Sequence, residues 1–249
     1  MSAIKALPQD IVDRIAAGEV VQRPCSIAKE VVENSLDAQC SSIEVSCSMG
    51  GLESLQITDD GCGMTKDDLV MAAVRFATSK LRSFDDLKTI RTFGFRGEAL
   101  ASASMVSRLS IISRTAASEV AYKCQYMDGK ALPNFPKASA GLQGTTVRID
   151  DLFYNIPSRK KSFKRESDEY NRVLDVVQVG FVLVVLLVEF QMCWRSGRSK
   201  TNPRPFLTSS YSSAMPSTGR ATVSASFAKS PRRKWSISTQ GLCQPLGTS

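Results

Sequence analysis

Glu30-Val-Val-Glu-Asn34-Ser-Leu-Asp37-Ala38, followed after two short apolar runs by Asp59-Asp-Gly-Cys-Gly63, is the stretch on which the fold of this chain turns. Pro24 followed by Ser26 reads as a helix start with Ser26 as N-cap, and the spacing predicts a helix over Ile27 to Ala38. On it Ala28, Val32 and Leu36 fall on one stripe and Glu30, Asn34 and Asp37 on the opposite one. A polar stripe of this kind is ordinarily a solvated face. If it fronts a cleft instead, a carboxylate one turn before a carboxamide can orient and deprotonate a water while the amide oxygen binds Mg2+.

Outward from that helix, Ile43 to Cys47 and Leu55 to Thr58 read as two strands joined at Gly50-Gly51, the second running into the sharp loop Asp59 to Met64. Thr65 with Asp68 forms a capping-box pattern opening a helix through Val74, and Ser83 with Asp86 repeats it before a shorter helix. Thr92 to Glu98 is a glycine-punctuated loop leading into a small-residue helix, Ala99 to Val106. Leu109 to Arg114, Val120 to Tyr126 and Thr145 to Ile149 read as strands, with a hairpin turn at Asp128-Gly129, and Glu166 to Val177 as a last helix. Helices interspersed with hairpin-linked strands predict an α+β fold, a helix layer on a mixed, largely antiparallel sheet rather than a doubly wound parallel one.

The chain has 249 residues with 32 Lys and Arg against 24 Asp and Glu. From Val179 onward there are nine bases and one acid, Glu189, which leaves 23 of each sign in the first 178 residues. The basic balance is thus a property of the carboxy-terminal part, and any DNA affinity of the front must come from local patches. No histidine occurs, which excludes a Ser-His-Asp triad, a Cys-His dyad and an acceptor-histidine kinase. Seven cysteines, none in C-x-x-C spacing, indicate neither a zinc knuckle nor a closed disulfide framework and fit a reducing compartment. The amino terminus lacks the apolar run of a signal peptide. The longest apolar run, Val179 to Val188, is half of the roughly 20 residues a spanning helix needs, so no membrane association is expected.

Three segments carry candidate chemistry besides the helix. At a strand end, Asp59 could accept a hydrogen bond from an adenine amino group, with the neighbouring glycines admitting a base to the backbone. The same segment also has the plain reading of a structural turn, and it lacks the third glycine of a dinucleotide fingerprint. Gly94-Phe-Arg-Gly-Glu-Ala-Leu100 places backbone N–H groups at a helix start, an anion site suited to polyphosphate, and Thr78-Ser79-Lys80 adds hydroxyls and a cation. A P-loop is absent.

In this order the segments resemble the motifs of the GHKL ATPases, the superfamily of gyrase, Hsp90, histidine kinases and MutL. Glu30 and Asn34 match the first motif, Asp59 to Gly63 the second, Gly94 to Glu98 the third and Gly144-Thr145 the fourth. Arg14 to Pro24, Ala77 to Lys80, Gly94 to Ala101 and Asp151-Leu-Phe-Tyr-Asn-Ile-Pro157 are similar to MutL-family signatures. Phe76 to Leu81, Ser83 to Leu87 and Tyr126 to Lys130 most resemble the eukaryotic subunit shared by the MutL heterodimers.

That resemblance implies a two-layer Bergerat-type sandwich and a weak Mg2+-dependent ATPase acting as a nucleotide-gated clamp in DNA mismatch repair. It makes Glu30 the general base and Asn34 the Mg2+ ligand, has Asp59 recognise adenine, and puts Gly63 and Thr145 beside the base. Phosphate contacts are implied for Thr78, Ser79, Lys80 and a lid drawn from Gly94, Phe95, Arg96, Gly97, Glu98, Ala99 and Leu100. The implied partners are a second MutL-type subunit, a MutS-type mismatch-recognition complex and DNA bound largely without regard to sequence; the implied location is the nucleus.

The resemblance runs from about Ile4 to Gln178. Beyond it, 19 of 71 residues are Ser or Thr and no period of 2 or 3.6 persists, so 179–249 is expected to be a non-homologous tail, disordered from about 191. In the family a second domain follows at this point and supplies a lysine to the γ-phosphate. Its replacement here points to a splice or frameshift product, and to a chain that binds nucleotide better than it hydrolyses it.

Overall fold

The computed structural model describes residues 4–80, 85–86, 92–94 and 97–179, together with the backbone of two short strands further on. Helix α1 spans Gln9–Val20 and α2 spans Pro24–Asp37. Strands β1 (Ser42–Ser48) and β2 (Ser54–Asp59) form a hairpin closed by the 3-10 turn Met49–Gly51. Next come α3 (Lys66–Met71), α4 (Ala99–Val106), β3 (Arg108–Arg114), β4 (Ala121–Met127), β5 (Lys130–Ala131), β6 (Lys137–Ser139), β7 (Gly144–Asp150) and α5 (Pro157–Ser162). A helix α6 over 166–179 follows, then β8 (Arg220–Ser226) and β9 (Ser236–Gln240).

The sheet runs β5-β4-β3-β7-β2-β1-β8-β9, with β6 also on β4, and every one of these pairings is antiparallel. The expected α+β architecture, helices on a largely antiparallel sheet, is therefore present. Register explains where the core ends. Across β2, β7, β3 and β4, Leu55, Ile149, Leu109 and Tyr126 form one cross-strand row and Ile57, Val147, Ile111 and Cys124 the next. All eight are buried. One step further along the same face the row reads Asp59, Thr145 and Ser113. Because side chains alternate faces with period two, the polar row continues the apolar face rather than leaving it.

Helices α2 and α4 pack on this face and α1 packs on α4. Ile27, Val31 and Val32 of α2 are each 2% exposed, worth about 1.5–3 kcal/mol apiece as an upper bound. Helix α2 begins three residues earlier than expected. Pro24 occupies its first turn with Arg23 as N-cap, and no side-chain cap bond is made; proline's fixed φ suits that position, where its missing N–H costs nothing. The Thr65–Asp68 capping box is formed, but the helix stops at Met71 instead of Val74, and Phe76 turns to φ 61°. Helix α6 is held to the body by Val173 and Val177 in the core and by Glu169, which is 3% exposed and paired with Arg23 at 2.5 Å.

Helix α1, strands β5 and β6 and helix α5 were not anticipated. Strands β8 and β9 also lie within the stretch expected to be disordered, and β8 pairs with β1 along its whole length. The Ser83–Asp86 helix and the Val179–Val188 run lie mostly outside the described residues. No described helix is long and apolar enough to cross a membrane.

Candidate functional site

The polar stripe of α2 faces the polar row of the sheet across a cleft of about 880 Å3, within the range of small-ligand sites. Glu30 and Asn34 line it from the helix; Asp59 and Thr145 form its floor, with Gly63 at the edge. Thr78, Ser79 and Lys80 line it as well, together with Gly94, Gly97, Glu98, Ala99 and Leu100. Phe95 and Arg96 lie outside the described residues. The stripe thus borders this cleft.

Asp59 is 8% exposed, and each of its oxygens has protein partners. Oδ1 accepts from Gly61 N at 3.0 Å and Thr145 N at 3.2 Å, and Oδ2 accepts from Ser35 Oγ at 2.8 Å. Burial raises the carboxyl pKa above its ordinary value, and the bonds from Gly61, Ser35 and Thr145 work against that rise. The carboxylate is thereby fixed in place as an acceptor at the floor of the cleft.

Ser113, 1% exposed, sets the neighbouring hydroxyl. Its Oγ accepts from Met64 N at 2.8 Å, lies 3.0 Å from the Gly144 carbonyl and 2.9 Å from Thr145 Oγ1. A hydroxyl has one proton and two lone pairs. Two oxygens at hydrogen-bond distance need a hydrogen between them, so Ser113 donates to Gly144 and receives the proton of Thr145. Thr145 is left presenting a lone pair to the cleft.

On the opposite side Asn34 Oδ1 accepts from Lys80 Nζ at 2.8 Å, and the same ammonium pairs with Asp37. Lys80 N bonds Thr78 Oγ1 at 3.1 Å, so the threonine hydroxyl shapes the turn that carries the lysine. Arg75 ties Glu98 Oε1 at 3.3 Å to Asp13 of α1 at 3.0 Å, neutralising the carboxylate at the cleft's far wall. Glu30 stands apart from these networks. Its side chain is 42% exposed, and its polar neighbour is Lys29, at 3.8 Å.

Ser35, Arg75 and Ser113 belong to the site's networks without having been singled out from the sequence, and Asp37 does so although no role was assigned to it there. Asp37 had a readable signal, sharing the stripe of Glu30 and Asn34. Ser113 and Arg75 had none, because their importance comes from strand register and from a contact between segments distant in the chain.

Helix α2, bearing Glu30 and Asn34, thus lies over the polar end of an antiparallel sheet. Residues 24–139 match the family described as histidine kinase-, DNA gyrase B-, and HSP90-like ATPase. The DNA mismatch repair protein MLH1 of Saccharomyces cerevisiae is 47% identical over 174 residues, covering 70% of this chain and 22% of that protein. The DNA mismatch repair protein MutL of Proteus mirabilis is 47% identical over 176 residues, covering 71% of this chain and 26% of that one. Among solved structures, the amino-terminal domain of a DNA repair protein matches with a TM-score of 0.58 and 34% identity, covering 70% of this chain and 50% of that one. The matched portion is thus similar to the MutL family of DNA mismatch repair proteins. It spans about a quarter of the length of the curated relatives it matches.

Proposed function

We propose that this chain binds Mg2+-ATP in the cleft between α2 and the polar end of the sheet, hydrolyses it slowly, and serves DNA mismatch repair. In this reading nucleotide occupancy gates association of amino-terminal domains with a second MutL-type subunit, and closure on DNA. A MutS-type complex would supply the mismatch signal. The observation that carries the reading is the convergence of the Glu30–Asn34 stripe with the Asp59–Thr145 row in one cleft, bordered by a glycine-punctuated helix start. The relatives come from a yeast and a bacterium, so nuclear location rests on the eukaryotic-type strings alone.

The residues fit these ligands. Asp59 and Thr145 offer acceptors, which match a purine's exocyclic amino group. Mg2+ is usually held by few protein oxygens together with phosphates and waters. Asn34 Oδ1 is such an oxygen, with a second lone pair beside the one that accepts from Lys80. Bound there, the metal supplies charge neutralisation of the phosphates. Glu30 would accept the proton of the attacking water, and Lys80 with the N–H groups at the start of α4 would hold phosphate oxygens. In this reading the front domain is 1–178, and the residues beyond it do not supply the family's second domain.

A nucleotide-binding form with little turnover is the second reading. Glu30 favours it, since among the described residues no hydrogen bond orients this half-exposed carboxylate. Equilibrium binding and steady-state turnover of Mg2+-ATP by the full 249-residue chain, beside Glu30→Gln, decide between them. Turnover that falls at least about 100-fold in the variant with binding kept supports hydrolysis. Equal, negligible turnover in both with binding kept supports the second reading, and no binding by the unmodified chain sinks both.

A further inference from the structure

We propose that Asp37 is a positioning residue for polyphosphate, aiming Lys80 and the start of the glycine loop at the outer phosphates; this rests on the cleft being a nucleotide site. The Asp37 side chain is 7% exposed and receives donors from two separate segments. Oδ1 accepts from Phe93 N at 3.0 Å, while Oδ2 accepts from Gly94 N at 3.1 Å and from Lys80 Nζ. One carboxylate at the end of α2 thus fastens both the 78–80 turn and the 92–94 strand of chain to the helix that carries Asn34.

Two consequences follow from this geometry. First, an ammonium has three N–H bonds. With one on Asp37 and one on Asn34 Oδ1, among the described residues the third is left for a ligand in the cleft, which Lys80 lines. A lysine on a free four-carbon stem would have to be ordered by the ligand; here that ordering has already occurred, so its entropic cost does not fall on binding. Second, the approach works because residue 94 has no side chain. A Cβ there would lie 2.9 Å from Asn34 Oδ1 and 3.1 Å from Lys80 Nζ. A methyl at 94 would push these two side-chain ends aside, so the glycine lets them sit where they do, independently of any contact it makes with phosphate.

Asp37 touches no proposed ligand atom, so its effect must run through Lys80 and must scale with phosphates. The test measures affinities of adenosine, ADP and Mg2+-ATP for the full chain and for Asp37→Asn, Lys80→Met, the double variant and Gly94→Ala. Asp37→Asn should weaken ATP about tenfold or more, the size of a lost charge-assisted hydrogen bond, and leave adenosine within about twofold. The double variant should be no weaker for ATP than Lys80→Met alone. Gly94→Ala, which leaves the carboxylate in place, should show the same selective loss and guards against a failure of Asp37→Asn to fold. Equal losses for adenosine and ATP in both Asp37→Asn and Gly94→Ala would make the clasp merely structural and overturn the proposal. Independent, multiplying losses from Asp37→Asn and Lys80→Met would overturn it too. In either case normal ATP binding by the unmodified chain would leave the nucleotide reading standing, whereas no binding by that chain would sink both.

Discussion

Replacing Gly63 by alanine should damage the fold before it touches the ligand. Gly63 has φ 72°, and a Cβ there would sit 2.2 Å from the Arg114 carbonyl oxygen and 2.7 Å from its carbon. Alanine in that backbone region costs about 1–2 kcal/mol by itself. The clash adds to this, because its partner is backbone. Arg114 ends β3 and pairs with Gly144 of β7, so it retreats only by breaking a rung of the ladder. Forcing one extra carbon into such packing costs about 1–3 kcal/mol, giving about 2–5 kcal/mol in all. In domains of roughly 150–250 residues each kcal/mol moves Tm by about 2–4 °C. Thermal unfolding followed by circular dichroism should therefore show Tm lowered by about 4–20 °C without any nucleotide present. If Gly63→Ala instead keeps the Tm and loses only nucleotide affinity, the glycine serves base access, as the sequence suggested, and the steric argument is wrong.

Asp59→Asn offers a test in which stability and binding move apart. Its folded-state pKa is raised by burial above the ordinary 3.8, so the folded chain keeps this proton at pH values where the unfolded chain has lost it. Stability from that difference is full below the unfolded pKa, is lost as pH rises through the folded one, and stays lost above. Asparagine removes this dependence, its Oδ1 can still accept from Gly61 and Thr145, and Ser35 keeps Val31 O as an acceptor at 3.1 Å. Urea unfolding should find the variant at least as stable as the unmodified chain at pH 7, with the advantage shrinking below about pH 4, while ATP affinity falls at both; a clear loss of stability at pH 7 would contradict this. Ser113→Ala strands the Met64 N–H and should cost about 1–3 kcal/mol in the same assay; a change under about 0.5 kcal/mol would show that the hydroxyl junction contributes nothing. Cys62 is exposed and lines the cleft, so its alkylation, followed peptide by peptide, should slow when ATP is bound. Cys40 and Cys47, whose thiols burial pushes up to about 12 and about 11, should stay unlabelled with or without ATP.

The sequence was most readable where a local rule governs. Period and capping placed α4 and the start of α3 correctly and bracketed β1, β2, β3, β4 and β7 to within a residue or so at each end. The N-cap of α2 was misplaced because Ser26 is a good capping residue in isolation, whereas Pro24 already starts the turn. Helix α1 was hidden by a pattern that keeps few residues buried, only Ala17 and Gly18, so its apolar positions do not form a core stripe. Strand β8 does alternate, with Ala221, Val223 and Ala225 apolar between Thr222, Ser224 and Ser226, but the pattern spans one short run of small residues inside a Ser-rich stretch and was passed over; its pairing with β1 is what reveals it. At the site, the stripe Glu30–Asn34–Asp37 was legible as a stripe. Its three members nonetheless have different surroundings: Glu30 half open, Asn34 under Lys80, Asp37 buried in a clasp. Ser113 was silent, since a serine in a strand says nothing until register sets it beside Thr145.

The polar row at the end of the sheet also bears on which changes of length the gene can tolerate. Asp59 closes β2 and Thr145 is the second residue of β7, and the two are partners in the last rung of that pairing. Deleting or inserting one codon inside β2 would shift every later residue by one place and turn Asp59 to the opposite face of the sheet, presenting Thr58 or Asp60 to the cleft. The 3-10 turn at Met49–Gly51 offers no slack either, because Gly50 and Gly51 are buried against Glu166 of α6 and Pro24 of α2. In-frame length variants should therefore be purged from the turn as well as from the strand, though neither position touches the proposed ligand.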